Sequence, residues 1–297
     1  LELASEIPQF QDKLKRFVKG KPGSLLLVEF AGQELSSLKL KLKELDELME
    51  AHGFKDAVVE AIDPKLQKEV WDVRKSGLNI MMSMKGDGKP VSCIEDCAVE
   101  LPDLAEYTSR LNELFEKYGT TGTWYAHASV GCLHVRPVLN MKQEIDAKKL
   151  RAITEETFAI VQEYKGSHSG EHGDGLVRSE FHELMYGKRI VNAFEKIKKI
   201  FDPSSLLNPG KIVNPSKMDD RSLFRYGPDY KQSNINSGLD WSEWGGFDRA
   251  VEMCNNNGAC RKFNTEVMCP SYRVTLDERH LTRGRANALR LALSGQL

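Results

Sequence analysis

The stretch "GTWYAHASVGCLHVRP", residues 122–137, decides how this chain folds. Its two halves, "TWYAH" and "CLHVRP", read as neighbouring strands joined through the small-residue turn "ASVG". The turn puts His127 at the end of one strand and His134 at the start of the next. On one continuous strand an odd separation sends side chains to opposite faces, whereas across a hairpin the two rings can converge on one point. Along the second strand His134 and Arg136 share a face, and Leu133 and Val135 point to the core. Taken alone, two histidines seven apart fit partly buried hairpin residues better than a metal pair.

Working outward, strands and helices alternate. "SLLLVEF" at 24–30 is a compact apolar strand. The helix after it carries Leu38, Leu42, Leu45, Leu48 and Met49 on one stripe and stops at Gly53. "DAVVEAI" is the next strand, followed by a helix or broken helix in "PKLQKEVWDVRKSGLNIMMSMKG". "VSCIEDCAVE" is a strand, and behind it a helix with Leu104, Tyr107, Leu111, Leu114, Phe115 and Tyr118 on a wide apolar face ends at Gly119. The helices are amphipathic on one side only. The expected architecture is therefore α+β, a ferredoxin-like antiparallel sheet with helices on one face; a doubly wound parallel sheet is the alternative. Two further helices, at about 146–165 and 180–201, end at "FDPSSLLNPGKIVNP", where three prolines and a glycine forbid continuation. From about 216 the chain turns polar and aperiodic, as a linker or extended arm would. The expected domains are 1–215, a linker or extended arm at 216–250, and a separate α-helical unit from 251 to 297.

Composition excludes several classes. With 297 residues, 40% hydrophobic and 29% charged, the chain can bury proper cores. Its net charge of −1, with basic residues scattered among acidic ones, lacks the footprint of a nucleic-acid binder. No apolar run approaches the ~20 residues of a membrane-spanning helix. The chain opens on Leu and closes on the uncapped amphipathic helix "LRLALSGQL", so it reads as a piece of a longer protein. The expected location is the cytoplasm, with peripheral membrane attachment of the full-length protein left open.

The loop "GSHSGEHGDGLVRSEF", residues 166–181, supplies the chemistry that the hairpin lacks. Glu171 and His172 stand among Gly166, Gly170, Gly173 and Gly175, which permit close approach to a ligand and positive φ. Two imidazoles and a carboxylate, His127, His134 and Glu171, make the first shell of an open divalent site for Zn, Mn or Fe. His172 is then free as a base. A flexible loop of solvated charges is the alternative. Glu95-Asp96 and the "KGDGK" turn at 85–89 read as surface features, Glu95 being able to approach the site. Cys93, Cys97 and Cys132 read as packing residues.

Taken together, "AHASVGCLHVRP", "SGEHGDGLVRSEF" and "FDPSSLLNPGKIV" resemble the C-terminal domain of FAD-linked oxidases, the glycolate oxidase and D-lactate dehydrogenase family. The resemblance spans most of residues 1–215. It implies a preceding flavin domain, outside this chain, whose FAD the present domain caps. It implies metal positions at His127, His134 and Glu171, a catalytic base at His172, and a substrate-carboxylate arginine at Arg74 in "VWDVRKSG". Many relatives carry H-x-G-D-G-N-x-H where Val130 and Cys132 stand here, a pattern resembling the branch fused to an iron–sulfur module.

The tail carries its own signal. Cys254, Cys260 and Cys269-Pro270 resemble a ferredoxin-type 4Fe–4S motif, with Asn257 where a middle cysteine is expected; the fourth ligand is replaced or lies beyond residue 297. Three cysteines cannot all pair among themselves as disulfides, and the resemblance makes residues 251–297 the start of a small α-helical iron–sulfur domain. The implied activity is oxidation of a D-2-hydroxy acid by hydride transfer to FAD, with electrons leaving through the iron–sulfur module to an external acceptor. The implied partners are that acid, the flavin domain and the acceptor, with a homo-oligomer left open and nucleic acid excluded. A metal-dependent hydrolase on the same donors and a noncatalytic cap or docking domain are the rival readings. The chain by itself is expected to be catalytically silent.

Overall fold

A computed structural model describes residues 1–233, 235–263 and 269–297, and the chain divides into two compact units, Leu1–Met84 and Lys85–Leu297. The first unit is helical: α1 (Glu2–Glu6), α2 (Pro8–Phe17), α3 (Leu35–Ala51), α4 (Pro64–Lys75) and α5 (Gly77–Met82). Phe10 and Leu14 of α2, Ala4 of α1 and Ile80 of α5 form its small core. The Asp63 carboxylate accepts the Lys65 N–H at 3.1 Å, and Pro64 supplies a preset first turn, so α4 starts where the sequence indicates. The break between α4 and α5 falls at Ser76, inside the predicted broken helix.

The predicted strands at 24–30 and 56–62 are not formed: neither segment pairs in a ladder among the described residues. A continuous apolar run becomes a strand only where neighbours complete its hydrogen bonds and cover both faces. Leu25, Leu26, Leu27 and Val28 are all exposed, Leu26 to 75%. The ferredoxin-like sheet is therefore corrected to something smaller, although the α+β class and antiparallel pairing stand.

Among the described residues six strands of two to four residues occur, all in the second unit: β1 (Lys89–Pro90), β2 (Cys97–Ala98), β3 (Gly122–Thr123), β4 (Ala126–His127), β5 (Cys132–Leu133) and β6 (Arg136–Leu139). They form two antiparallel three-stranded sheets, in the orders β1-β6-β3 and β2-β5-β4. The hairpin registers Ala126 opposite Leu133 and His127 opposite Cys132. Against the strands pack α6 (Leu104–Lys117) and α7 (Glu144–Glu163). Tyr107, Leu111, Leu114 and Phe115 recur at the spacing of one helical face, and all are buried with Leu150, Ile153, Phe158 and Val161 of α7 and Val135 and Leu139 of β6. Cys93 and Cys97 belong to the same core, as expected of packing residues.

Beyond α7 come α8 (Gly175–Arg178), α9 (His182–Tyr186) and α10 (Lys188–Phe201). The single helix predicted over 180–201 is divided at Gly187, whose φ of +76° no helix continues. The described residues of 216–246 run through short turns within the second unit. Met218 is buried in the main core, and Arg151 of α7 bonds Asp219 at 2.6 Å and Glu180 at 2.9 Å. Then follow α11 (Phe247–Glu252), α12 (Pro270–Thr275) and α13 (Thr282–Leu293). Asp87 is no surface feature of a free turn: it pairs with Lys142 at 2.9 Å and Arg249 at 3.2 Å, and Lys142 also bonds Glu252 at 2.5 Å. Among the described residues no helix is long and apolar enough to cross a membrane.

Leu111 is 1% exposed at the centre of the α6–α7 contact. Leu111→Ala is expected to cost about 2–5 kcal/mol through lost transfer energy and a residual cavity. A lowered urea midpoint at unchanged slope is the measurement.

Candidate active site

The site begins with a buried acid. Asp96, on the turn between β1 and β2, is 0% exposed and holds a left-handed φ of +83°, which aims its carboxylate at the loop after α7. That carboxylate accepts the backbone N–H groups of Gly170 at 2.9 Å, Glu171 at 2.8 Å and His172 at 3.0 Å, and the Arg178 guanidinium at 3.2 Å. Arg178, 4% exposed, also donates to the Glu95 carbonyl at 2.6 Å and to the Gly173 carbonyl. Just upstream, Ala98 and Ser167 exchange both backbone hydrogen bonds, at 2.8 and 2.9 Å. The loop that looks flexible by composition is thus laced to the sheet on one side. Gly170 eases this approach, since a Cβ there would lie 3.0 Å from the Asp96 carbonyl and carboxylate and force them to shift.

The other side of the loop presents Glu171 and His172 to solvent. Glu171 Oε1 lies 3.0 Å from His134 Nε2, 3.3 Å from His127 Nε2 and 3.3 Å from His172 Nε2. The hairpin achieves this as its sequence suggests. A short turn at Ala128–Val130 ends in Gly131 at φ +68°, where a Cβ would sit 1.9 Å from the Val99 carbonyl, so only glycine allows the reversal. The His127 and His134 rings then stand 5.1 Å apart and edge-on, and His134 stacks on His172 at 4.6 Å. His134 is 6% exposed, and its Nδ1 has no partner. Burial, reinforced by the neighbouring His172, holds its pKa below the usual imidazole range, which keeps a lone pair available.

The structure thus brings His127, His134, Glu171 and His172 to one place. Asp96 lies within ligand distance of His134, Glu171 and His172, but hydrogen bonds from three backbone N–H groups, Arg178 and the Cys132 thiol already occupy its oxygens. Glu95, 9% exposed, pairs with Arg136 at 2.5 Å and lies 3.8 Å from His172 Nδ1. The surface reading of Glu95-Asp96 is corrected on both counts. A signal was present: an acid pair set between Ile94 and Cys97 in an apolar run has no solvent face to occupy. Cys132 is buried, its thiol pushed up to about 11 by burial and then by Asp96, in keeping with a packing residue.

The model for FAD linked oxidases, C-terminal domain, matches residues 6–212. The chain belongs to that family. It is 32% identical to the D-2-hydroxyglutarate dehydrogenase of Pseudomonas putida over 91% of this chain and 27% of that protein. The D-lactate dehydrogenase of Anaerostipes hadrus is 28% identical over 64% of this chain and 39% of its own, and a glycolate oxidase subunit of Bacillus subtilis is 27% identical over 48% and 29%. The chain spans about a quarter of the length of the D-2-hydroxyglutarate dehydrogenases it matches.

Arg74 lies in the last turn of α4, in the first unit, its guanidinium over the Trp71 ring at 5.2 Å. Of the tail cysteines, Cys260 and Cys269 are buried with Tyr272 and Leu281, and Cys254 is half-buried. All six cysteines of the chain are free. Cys269 precedes α12, and the Tyr272 N–H holds its thiol below the usual range.

Asp96→Asn keeps the side-chain volume but removes the charge facing three N–H groups and Arg178. It is expected to destabilise the second unit by about 2–4 kcal/mol. The exposed Glu113→Gln should stay within about 0.5 kcal/mol of the parent. Denaturant unfolding of both variants checks this, and equal stabilities would disprove the role given to Asp96.

Proposed function

We propose that this chain is the substrate-capping part of an FAD-linked dehydrogenase that oxidises a D-2-hydroxy acid, D-2-hydroxyglutarate and D-lactate being the types acted on by named relatives. The observation that carries it is the convergence of three imidazole nitrogens on one Glu171 oxygen at 3.0–3.3 Å, on a loop face open to solvent.

The donor set fits a divalent ion. Three imidazoles crowd one carboxylate oxygen, and the His134 ring, its pKa lowered by burial, offers a lone pair. His127, His134 and Glu171 would hold the ion, and bound there it would polarise the substrate hydroxyl and lower that group's pKa. FAD supplies the acceptor for the hydride from C2. His172 takes the hydroxyl proton on Nε2, while Glu95 near its Nδ1 favours the ring orientation and stabilises the imidazolium that forms. The stacked His134 ring keeps that face of His172 from turning away. By family resemblance Arg74 receives the substrate carboxylate, a task suited to a planar fork of donors. Named relatives that are dehydrogenases or an oxidase favour hydride removal over hydrolysis.

In the same proposal, Cys254, Cys260 and Cys269 provide thiolates to a 4Fe–4S cluster, which would carry single electrons onward. Three free cysteines in one segment, one with a lowered thiol pKa, support that assignment. The chain by itself is expected to be inactive, since the flavin is its electron acceptor.

In the full-length protein, His172→Ala should slow flavin reduction by the hydroxy acid by about 10²–10⁴-fold with FAD still bound. Reduction at the parent rate would place the base elsewhere. Removing divalent ions with a chelator should lower the same rate, and adding back Zn²⁺ or Mn²⁺ should restore it in the parent but not in Glu171→Gln.

A further inference from the structure

Behind the loop that carries Glu171 and His172 lies a second set of ligating groups, facing inward. His168, Asp174 and His182 are 0%, 9% and 2% exposed. One ring nitrogen from each histidine and one oxygen of Asp174 lie within 4.8 Å of one another. Both nitrogens of His168 and Nδ1 of His182 lack any hydrogen-bond partner. A neutral imidazole carries one donor and one acceptor, and leaving such a group unmet in the interior costs about 1–3 kcal/mol. Buried polar atoms without partners are few in folded proteins, so three in one small cluster require an account.

We propose that His168, Asp174 and His182 form a second metal site, for one divalent transition ion of the zinc class. Two imidazoles and one carboxylate suit zinc, cobalt and iron, whereas magnesium and calcium require oxygen-rich shells. The existing hydrogen bonds leave the necessary atoms available. Arg178 Nε holds Asp174 Oδ1 at 3.0 Å, which orients the carboxylate, and Oδ2 remains on the His182 side, 2.7 Å from its Nε2. Arg178 shares its charge with Asp96, so a carboxylate charge remains to offset the ion. Phe158 stacks on His168 at 4.6 Å and fixes that ring. Burial pushes the His168 pKa down to about 4, and the hydrogen bonds of His182 and Arg178 outweigh burial to hold Asp174 at about 2, so both groups are in ligand form near neutrality. The ion would tie the loop at 168 and 174 to α9 at 182, beneath the face that carries Glu171 and His172. Its role is structural, and the proposal stands without the reading of the exposed site.

The test is to strip the full chain of metal, titrate it with Co²⁺, and count bound ions by elemental analysis after desalting. His168→Phe fills the same space against Phe158 and should lose one equivalent relative to the parent, with unchanged far-ultraviolet circular dichroism. His182→Phe should lose the same equivalent. Ions bound at His127, His134 and Glu171, or at the tail cysteines, are retained in both variants, so failure of the exposed-site reading removes a different equivalent. Equal ion counts in parent and variants would overturn the proposal. Should neither variant fold, crystals of the parent grown with Zn²⁺ decide: an anomalous peak between His168, Asp174 and His182 supports the site. A water molecule or no peak there overturns it.

Discussion

One buried carboxylate organises the second unit. Asp96 sits at the end of the β1–β2 turn and binds three consecutive backbone N–H groups of a loop more than seventy residues later in the chain. Water would satisfy those donors equally well in an open loop. Inside, however, the carboxylate charge concentrates their interaction, and Arg178 neutralises the excess. Removing either partner leaves a charge in a dry place, which is why the arrangement is cooperative rather than a sum of contacts.

From this anchor the loop acquires two faces of opposite character. Its outward face holds Glu171 and His172 in water, and its inward face holds His168 and Asp174 in the core. A glycine-rich segment does this because small residues let the backbone lie against Asp96 and Ala98. The hairpin contributes the other half by the same means: Gly131 reverses the chain so tightly against Val99 that two imidazoles seven residues apart become neighbours. The convergent side chains therefore rest on backbone geometry fixed by burial.

How much of this was legible in the sequence depends on range. Local signals were reliable: the hairpin between "TWYAH" and "CLHVRP", the apolar stripe of α6, a broken helix within 64–86, and the grouping of His127, His134, Glu171 and His172. What failed depended on distant partners. "SLLLVEF" has the composition of a strand, yet pairing is settled by neighbours that composition does not name. Asp96 was misread because an acid beside another acid usually marks the surface, and the N–H groups that retain it inside lie in another segment. His168 escaped notice for a similar reason, since a lone histidine in a Gly-Ser loop reveals neither its burial nor its two companions.

The Asp87–Lys142–Glu252 chain of charges has a consequence for how this protein can be divided. The family match ends at residue 212, but Lys142, nearly enclosed, donates to Glu252 of α11, and Met218 fills part of the main core. The cysteine-bearing tail is therefore not a detachable cassette. Cutting the chain at the family boundary would open an apolar gap and strip an enclosed ammonium of one counter-ion.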